Sequence, residues 1–214
     1  MVDFSFLSPV QDRLVDQIDM LHGQAIGKKL SVHSSKGTPE LEGIKIAIVG
    51  VLESRNSVDH IGEEFQLNEI RKAFYKLFPG NWLHGMADLG DIQKGASVED
   101  TYFALIEVVS SLVKANIIPL IIGGSQDLTY ANYRAYDKIS SMVNIVNIDK
   151  SFDLGDSSKP INNGSYLGKI ILEQPYNLFN YTVIGFQTYF NSQEEIDLME
   201  KLYFESYRLG DIAH

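Results

Sequence analysis

The side chains with the most chemical potential sit in two short polar segments, each just after an apolar run. Gly123-Gly124-Ser125-Gln126-Asp127 follows the run 117–122, and Asp149-Lys150-Ser151-Phe152-Asp153 follows the run 142–148. In extended geometry Asp149, Ser151 and Asp153 share one face. Three oxygen-bearing side chains on one rim can hold a hard cation such as magnesium or manganese. The same residues also suit a structural role, with Asp149 hydrogen-bonding a neighbouring loop and Asp153 capping a turn before Gly155. Gly123-Gly124 permits a sharp turn and close backbone approach. Neither segment contains a histidine. The candidate metal-binding residues on this reading are Asp149 and Asp153, with Ser151 between them. No catalytic residue is nominated.

Other chemistries find less support. There is no G-x-G-x-x-G and no G-x-x-x-x-G-K-[ST], and Gly27-Lys28-Lys29 lacks a preceding strand, so a nucleotide site is not expected. Zero cysteines exclude disulfides, zinc thiolates and thiol nucleophiles. Of the five histidines, His22 ends a helix, His33 lies in an undistinguished loop, His84 precedes a strand and His214 is the last residue. Only His60, in the loop after the strand 44–51, can reach a carboxyl-side rim, and a plain surface position is its alternative. No Ser/His/Asp triad assembles. The net charge of −10 argues against nucleic acid as a partner. The first residues lack a basic n-region and an apolar h-region, and no apolar run approaches the ~20 residues that span a bilayer. A cytoplasmic, membrane-free protein is the expectation.

The elements that must position these residues follow from periodicity. Helices are expected over 9–21 (N-capped by Ser8), 68–77 (with Ile70, Phe74 and Leu77 inward), 98–115, 128–139 and 193–208, the last closed by Gly210. Phe103, Ile106, Val109 and Leu112 repeat along the third. Tyr130, Tyr133 and Tyr136 form a stripe that packing explains. Strands are expected over 44–51, 85–89, 117–122, 142–148 and 181–186. Those at 44–51, 117–122 and 142–148 have the apolar runs of buried parallel strands. Strand and helix alternate, which predicts an α/β fold with a mostly parallel sheet. The carboxyl ends of such strands deliver site loops to one edge, so Gln126 and Asp149 should be near neighbours. No linker divides residues 1–214.

With these residues in place, the chain resembles the ureohydrolase superfamily of arginase, agmatinase and formimidoylglutamase. It is most similar to a divergent subset in which Gly-Gly-Ser-Gln-Asp-Leu-Thr itself occurs. Gly123 to Asp127 fall where that superfamily has G-G-D-H-S, and Asp149 to Asp153 fall where it has D-A-H-x-D. Gly50-Val51, Asn68-Glu69-Ile70-Arg71 and Asp88-Leu89-Gly90-Asp91 also match, and the likeness runs over about residues 44–210. It implies an αβα sandwich, a pair of manganese ions, and hydrolysis of a formimino- or guanidino-bearing amino acid, a small amidine substrate. Against that pattern Gln126 and Ser151 replace two histidine ligands, which leaves Gln126 as a weaker candidate metal donor beside Asp149 and Asp153. No counterpart of a shuttle histidine lies between Gly155 and Leu172, and the third motif, S-x-D-x-D-x-x-D-P, is absent. The expectation is a single arginase-like domain, the N-terminal portion of the fold, that does not hydrolyse amidines. The alternative is a relative that uses the fold for binding or assembly. An uncovered strand edge near Phe186, Tyr189 and Phe190 would favour a homo-oligomer.

Overall fold

The computed structural model describes residues 2–58, 66–81, 84–156 and 158–212. The chain divides into two compact units, Met1–Arg55 with His60–Ser125, and Asn56–Asp59 with Gln126–His214. The first unit contains β1 (Leu7–Ser8), α1 (Asp12–Ile18), β2 (Leu30–Val32), β3 (Ile44–Val51), α2 (Leu67–Tyr75), β4 (Gly85–Ile92), α3 (Val98–Lys114) and β5 (Ile118–Ile122). Its sheet has the order β1-β4-β3-β5, with β2 also on β4. All pairings are parallel except that of β1. Ala47, Ile48 and Val49 of β3 and Ala87, Leu89 and Ile92 of β4 are fully buried, as strands covered on both faces must be.

The inward face of α2 is not the one its apolar spacing suggests. Ile70 and Leu77 are about half exposed, and Leu67, Arg71 and Tyr75 are buried. The reason is electrostatic. Arg71 Nε donates to Asp88 Oδ2 at 2.8 Å, Nη1 to Asp91 Oδ1 at 2.7 Å and Nη2 to the Gly90 carbonyl at 3.1 Å. The Tyr75 hydroxyl donates to Asp88 Oδ2 at 2.8 Å. Burial works against the guanidinium's charge, but the two carboxylates outweigh it and raise the Arg71 pKa further. Gly50 makes room: a Cβ there would come within 1.9 Å of Asp91 Oδ1 and 3.0 Å of Arg71 Nη2. On α3, which starts with a Ser97/Asp100 capping box, Tyr102, Leu105, Val108, Val109 and Leu112 are buried. Phe103, expected inside, lies outward against Phe6.

The second unit contains α4 (Leu128–Asp137), β6 (Val143–Ile148), α5 (Tyr166–Leu172), β7 (Leu178–Phe186), α6 (Gln193–Lys201), β8 (Glu205–Arg208) and α7 (Leu209–Ile212). Its sheet, β6-β7-β8, is parallel throughout. Phe152, Tyr166, Leu167, Ile170, Tyr181 and Val183 form the middle of its core. The α/β class with mostly parallel strands is therefore as expected. In the first unit the helix expected over 9–21 is shorter, Asp12–Ile18, with Gln11 in place of Ser8 at its N-cap and Ser8 paired in β1. Strands β1 and β2 are additional to those expected. In the second unit two elements differ. The helix expected over 193–208 ends at Lys201, because Tyr203 takes a left-handed backbone (φ 57) and the chain returns as β8; Gly210 lies inside α7. Helix α5 carries no signal strong enough to have been expected. The runs of β5 and β6 are also less buried than their composition suggests, with Ile118 61% and Ile148 81% exposed. Each is an edge strand of its own sheet, and its outward side chains find no cover among the described residues of its unit.

Arg71 generates a test. Arg71→Met leaves Asp88 and Asp91 buried without their counter-charge and should cost about 3–5 kcal/mol in urea unfolding. A loss below about 1 kcal/mol, the scale of a surface ion pair, would show the network to be dispensable.

Candidate functional site

The polar residues of the second unit meet at the carboxyl end of β6. The chain leaves β5 through Gly123 and Gly124, both left-handed (φ 87 and 78), a conformation that costs glycine nothing. It reaches Gln126 just before α4. Gln126 Nε2 donates to Asp149 Oδ2 at 2.7 Å and to the Tyr166 hydroxyl at 3.4 Å. A carboxylate only accepts, so the amide must present its nitrogen. Asp149 Oδ1 accepts the backbone N–H groups of Lys150 at 2.6 Å and Ser151 at 3.3 Å. Asn147 Nδ2 donates to the hydroxyls of Tyr166 and Tyr181, each at 3.1 Å. Ser151 Oγ donates to Asp153 Oδ1 at 2.8 Å. Asp153 has a left-handed backbone (φ 56), and its Oδ2 is buried without a hydrogen-bond partner among the described residues.

Burial dominates the electrostatics. It raises the Asp153 pKa to about 6, with the hydroxyls of Ser151 and Tyr166 opposing it and the charge of Asp149 adding to it. Burial likewise pushes the Tyr181 phenol up to about 12 and Tyr166 higher still. Both phenols are neutral donors and acceptors at ordinary pH.

Of the residues singled out from sequence, Gln126 and Asp149 are brought into direct contact, and Asp153 joins through Ser151. The shared strand face expected for Asp149, Ser151 and Asp153 does not form, because the strand ends at Ile148. His60 and His214 lie outside the described residues. His33 is buried, with its Nδ1 donating to the Leu89 carbonyl at 2.9 Å. Asn147, Tyr166 and Tyr181 join the cluster without a sequence motif to mark them; only Asn147, a polar break in an apolar strand, leaves a trace in the sequence. Another strand end, after β3, carries a carboxylate that is fully occupied. Glu53 accepts from Ser54 N, from Arg55 N and Nη2, and from Thr101 Oγ1. Its burial would raise its pKa, but the bonds from Arg55 and Thr101 win and hold it at about 2.

The donor set does not fit a pair of manganese ions. Among the described residues no group of three or more His, Cys, Asp or Glu is placed to hold an ion. Gln126 turns an N–H, not a lone pair, toward Asp149 Oδ2, and Asp149 Oδ1 is taken by backbone donors. A neutral serine hydroxyl is also a poorer ligand than imidazole. Among the described residues, Asp153 Oδ2 is the one carboxylate oxygen of the cluster left open.

Two outcomes are expected. Gln126→Glu sets two carboxylates against each other and should cost about 2–3 kcal/mol. Adding Asp149→Asn should restore most of that loss, because the bond then runs in reverse, from the amide introduced at position 149; failure of the double variant to recover in urea unfolding would refute the pairing. The second outcome concerns pH. The folded Asp153 pKa of about 6 stands above its reference value of 3.8, so the folded state holds the proton more tightly than the unfolded chain. The stability this contributes is full at acid pH and is lost as pH rises from about 4 to about 6, a change of at most about 3 kcal/mol. Asp153→Asn should flatten unfolding free energy over that window; an unchanged slope would refute the assignment.

Comparison with known proteins agrees with this architecture. The Arginase family model matches residues 44–214. A formimidoylglutamase of Hahella chejuensis is 30% identical over 146 residues, 63% of this chain and 44% of its own length. The structure of formimidoylglutamase from Bacillus subtilis superimposes with a TM-score of 0.71 at 19% identity, covering 81% of this chain and 58% of that one. Trypanosoma cruzi formiminoglutamase, in a structure with Mn2+, gives a TM-score of 0.69 at 18% identity over 81% and 63% of the two chains. The chain spans about half the length of the curated relatives it matches. With a match that runs from the first residue of β3 through both units, the chain belongs to the arginase family.

Proposed function

We propose that this chain is a non-hydrolytic arginase-family protein, related by descent to enzymes that cleave a non-peptide C–N bond in a formimino- or guanidino-bearing amino acid. The observation that carries the reading is the 2.7 Å bond from the Gln126 amide to Asp149 Oδ2. Two close divalent ions would supply a hydroxide nucleophile and polarise the amidine carbon, and the residues present here do not hold them. What the chain's own groups provide at this end of the sheet is a hydrogen-bonded cluster in which Asp149 is fully engaged and the buried Asp153 Oδ2 is the open acceptor among the described residues. The family match crosses both units, which supports reading them as one arginase-like domain. Zero cysteines fit a cytoplasmic location, and among the described residues no helix is long and apolar enough to cross a membrane. The exposed Val146 and Ile148 side chains of β6 support self-association, which sedimentation velocity measures.

A second reading, retained metal-dependent hydrolysis, is favoured by the open Asp153 Oδ2. Purification with manganese, elemental analysis and an assay for urea or formamide from arginine, agmatine and formiminoglutamate separate the two. We expect no stoichiometric ion pair and no turnover, and neither from the double variant Gln126→His, Ser151→His. Two bound ions with measurable product from the unaltered chain would overturn the proposal.

A further inference from the structure

The rim of the β6-β7-β8 sheet has a second feature, remote in chemistry from Asp149. β7 ends at Phe186 and β8 at Arg208, and these two residues are paired in register. Beyond them lies a cavity of about 420 Å³ lined by Gln187, Thr188, Tyr189, Arg208, Leu209 and Gly210. The carboxyl ends of parallel strands are where α/β sheets place ligands.

One wall is tied down. Asn191 Nδ2 donates to the carbonyls of Lys150 and Gln187, both at 2.9 Å, and its Oδ1 accepts the Phe152 N–H at 2.8 Å. Gln187 N–H donates to the Lys150 carbonyl at 2.9 Å. On this braced segment Tyr189 is 100% exposed, with nothing among the described residues covering its ring. The Arg208 side chain is half exposed and its guanidinium, among the described residues, makes one hydrogen bond, from Nη2 to Asp211 Oδ1 at 3.1 Å. Most of its five N–H donors are thus unspent within that set. An exposed aromatic face, an underused guanidinium and an apolar side chain, Leu209, therefore line one cavity in a strongly acidic chain.

We propose that this cavity binds a small planar carboxylate. Arg208 takes the carboxylate through paired N–H donors, a geometry that guanidinium favours over ammonium. The Tyr189 ring and Leu209 take the planar body. Gln187 and Thr188 add polar contacts, and Asp211 competes with the ligand for Arg208.

The probe is benzoate, titrated into the full chain and followed by backbone amide NMR shifts, with benzamide and cyclohexanecarboxylate as controls. Benzoate should give saturable shifts at residues 187–189 and 208–210, with the two controls weaker. Arg208→Gln should weaken binding by ~10-fold or more, and Tyr189→Ala by ~5-fold. Asp211→Asn, which frees Arg208, should tighten it by ~3-fold. Lys45→Ala, exposed on the other unit, should leave it unchanged. Because all three rim side chains are exposed, the variants are expected to fold, which their spectra will show directly. No saturable binding, benzamide binding as tightly as benzoate, or an Arg208→Gln variant that binds normally would each overturn the proposal.

Discussion

A neutral amide hydrogen-bonded to a carboxylate governs the second unit. Gln126 stands just before α4, Asp149 just after β6, Tyr166 at the first position of α5 and Tyr181 on β7, and the bonds of Gln126 and Asn147 connect all four. Each such bond is worth only about 0.5–3 kcal/mol net, but losing one partner exposes the full desolvation cost of the other. That asymmetry makes the cluster a constraint on position as well as a source of stability. The cluster also engages both oxygens of Asp149, one with the Gln126 amide and the other with the backbone N–H groups of Lys150 and Ser151.

The first unit solves a related problem with opposite means. Arg71 is buried as deeply as any residue in the chain, yet its charge survives because Asp88 and Asp91 both reach it. Asp153 is buried nearly as well and has hydroxyls, not a cation, beside it, so its pKa rises instead. The comparison shows which effect wins when a charge is buried. A full counter-charge overcomes desolvation, and one or two hydroxyl bonds do not.

These two clusters also mark how far the sequence can be read. The strands at 44–51, 85–92, 118–122, 143–148 and 178–186 and their parallel sense follow from apolar runs, whereas β1, β2 and β8 carry no such run. Gln126 meets Asp149 as expected, although β5 and β6 lie in separate sheets and not on one edge. The buried face of α2 does not follow, because an arginine counts as outward in any hydrophobicity pattern, and only the carboxylates of β4, distant in sequence, draw Arg71 in. The exposure of Ile118 and Ile148 does not follow either, because composition reports that a strand is apolar but not whether a neighbour covers it. Tyr166 and Tyr181 resemble ordinary core tyrosines, and their role in holding the amides of Gln126 and Asn147 depends on distances no local pattern encodes. The helix expected over 193–208 fails at one backbone angle, the left-handed turn at Tyr203.

The second unit's rim then carries two loci of opposite character on one short sheet. At the end of β6 the chemistry is that of acceptors, the half-buried Asp149 and the buried Asp153; at the ends of β7 and β8 it is that of an exposed donor, Arg208. Lys150 lies between them in sequence and in function: its carbonyl anchors Gln187 and Asn191, and its ammonium sits 4.5 Å above the Phe190 ring. The Lys150 backbone thus ties the segment that holds Asp149 to the segment that holds Tyr189. Side chains can change at either end of this tie while the backbone bonds that position them persist.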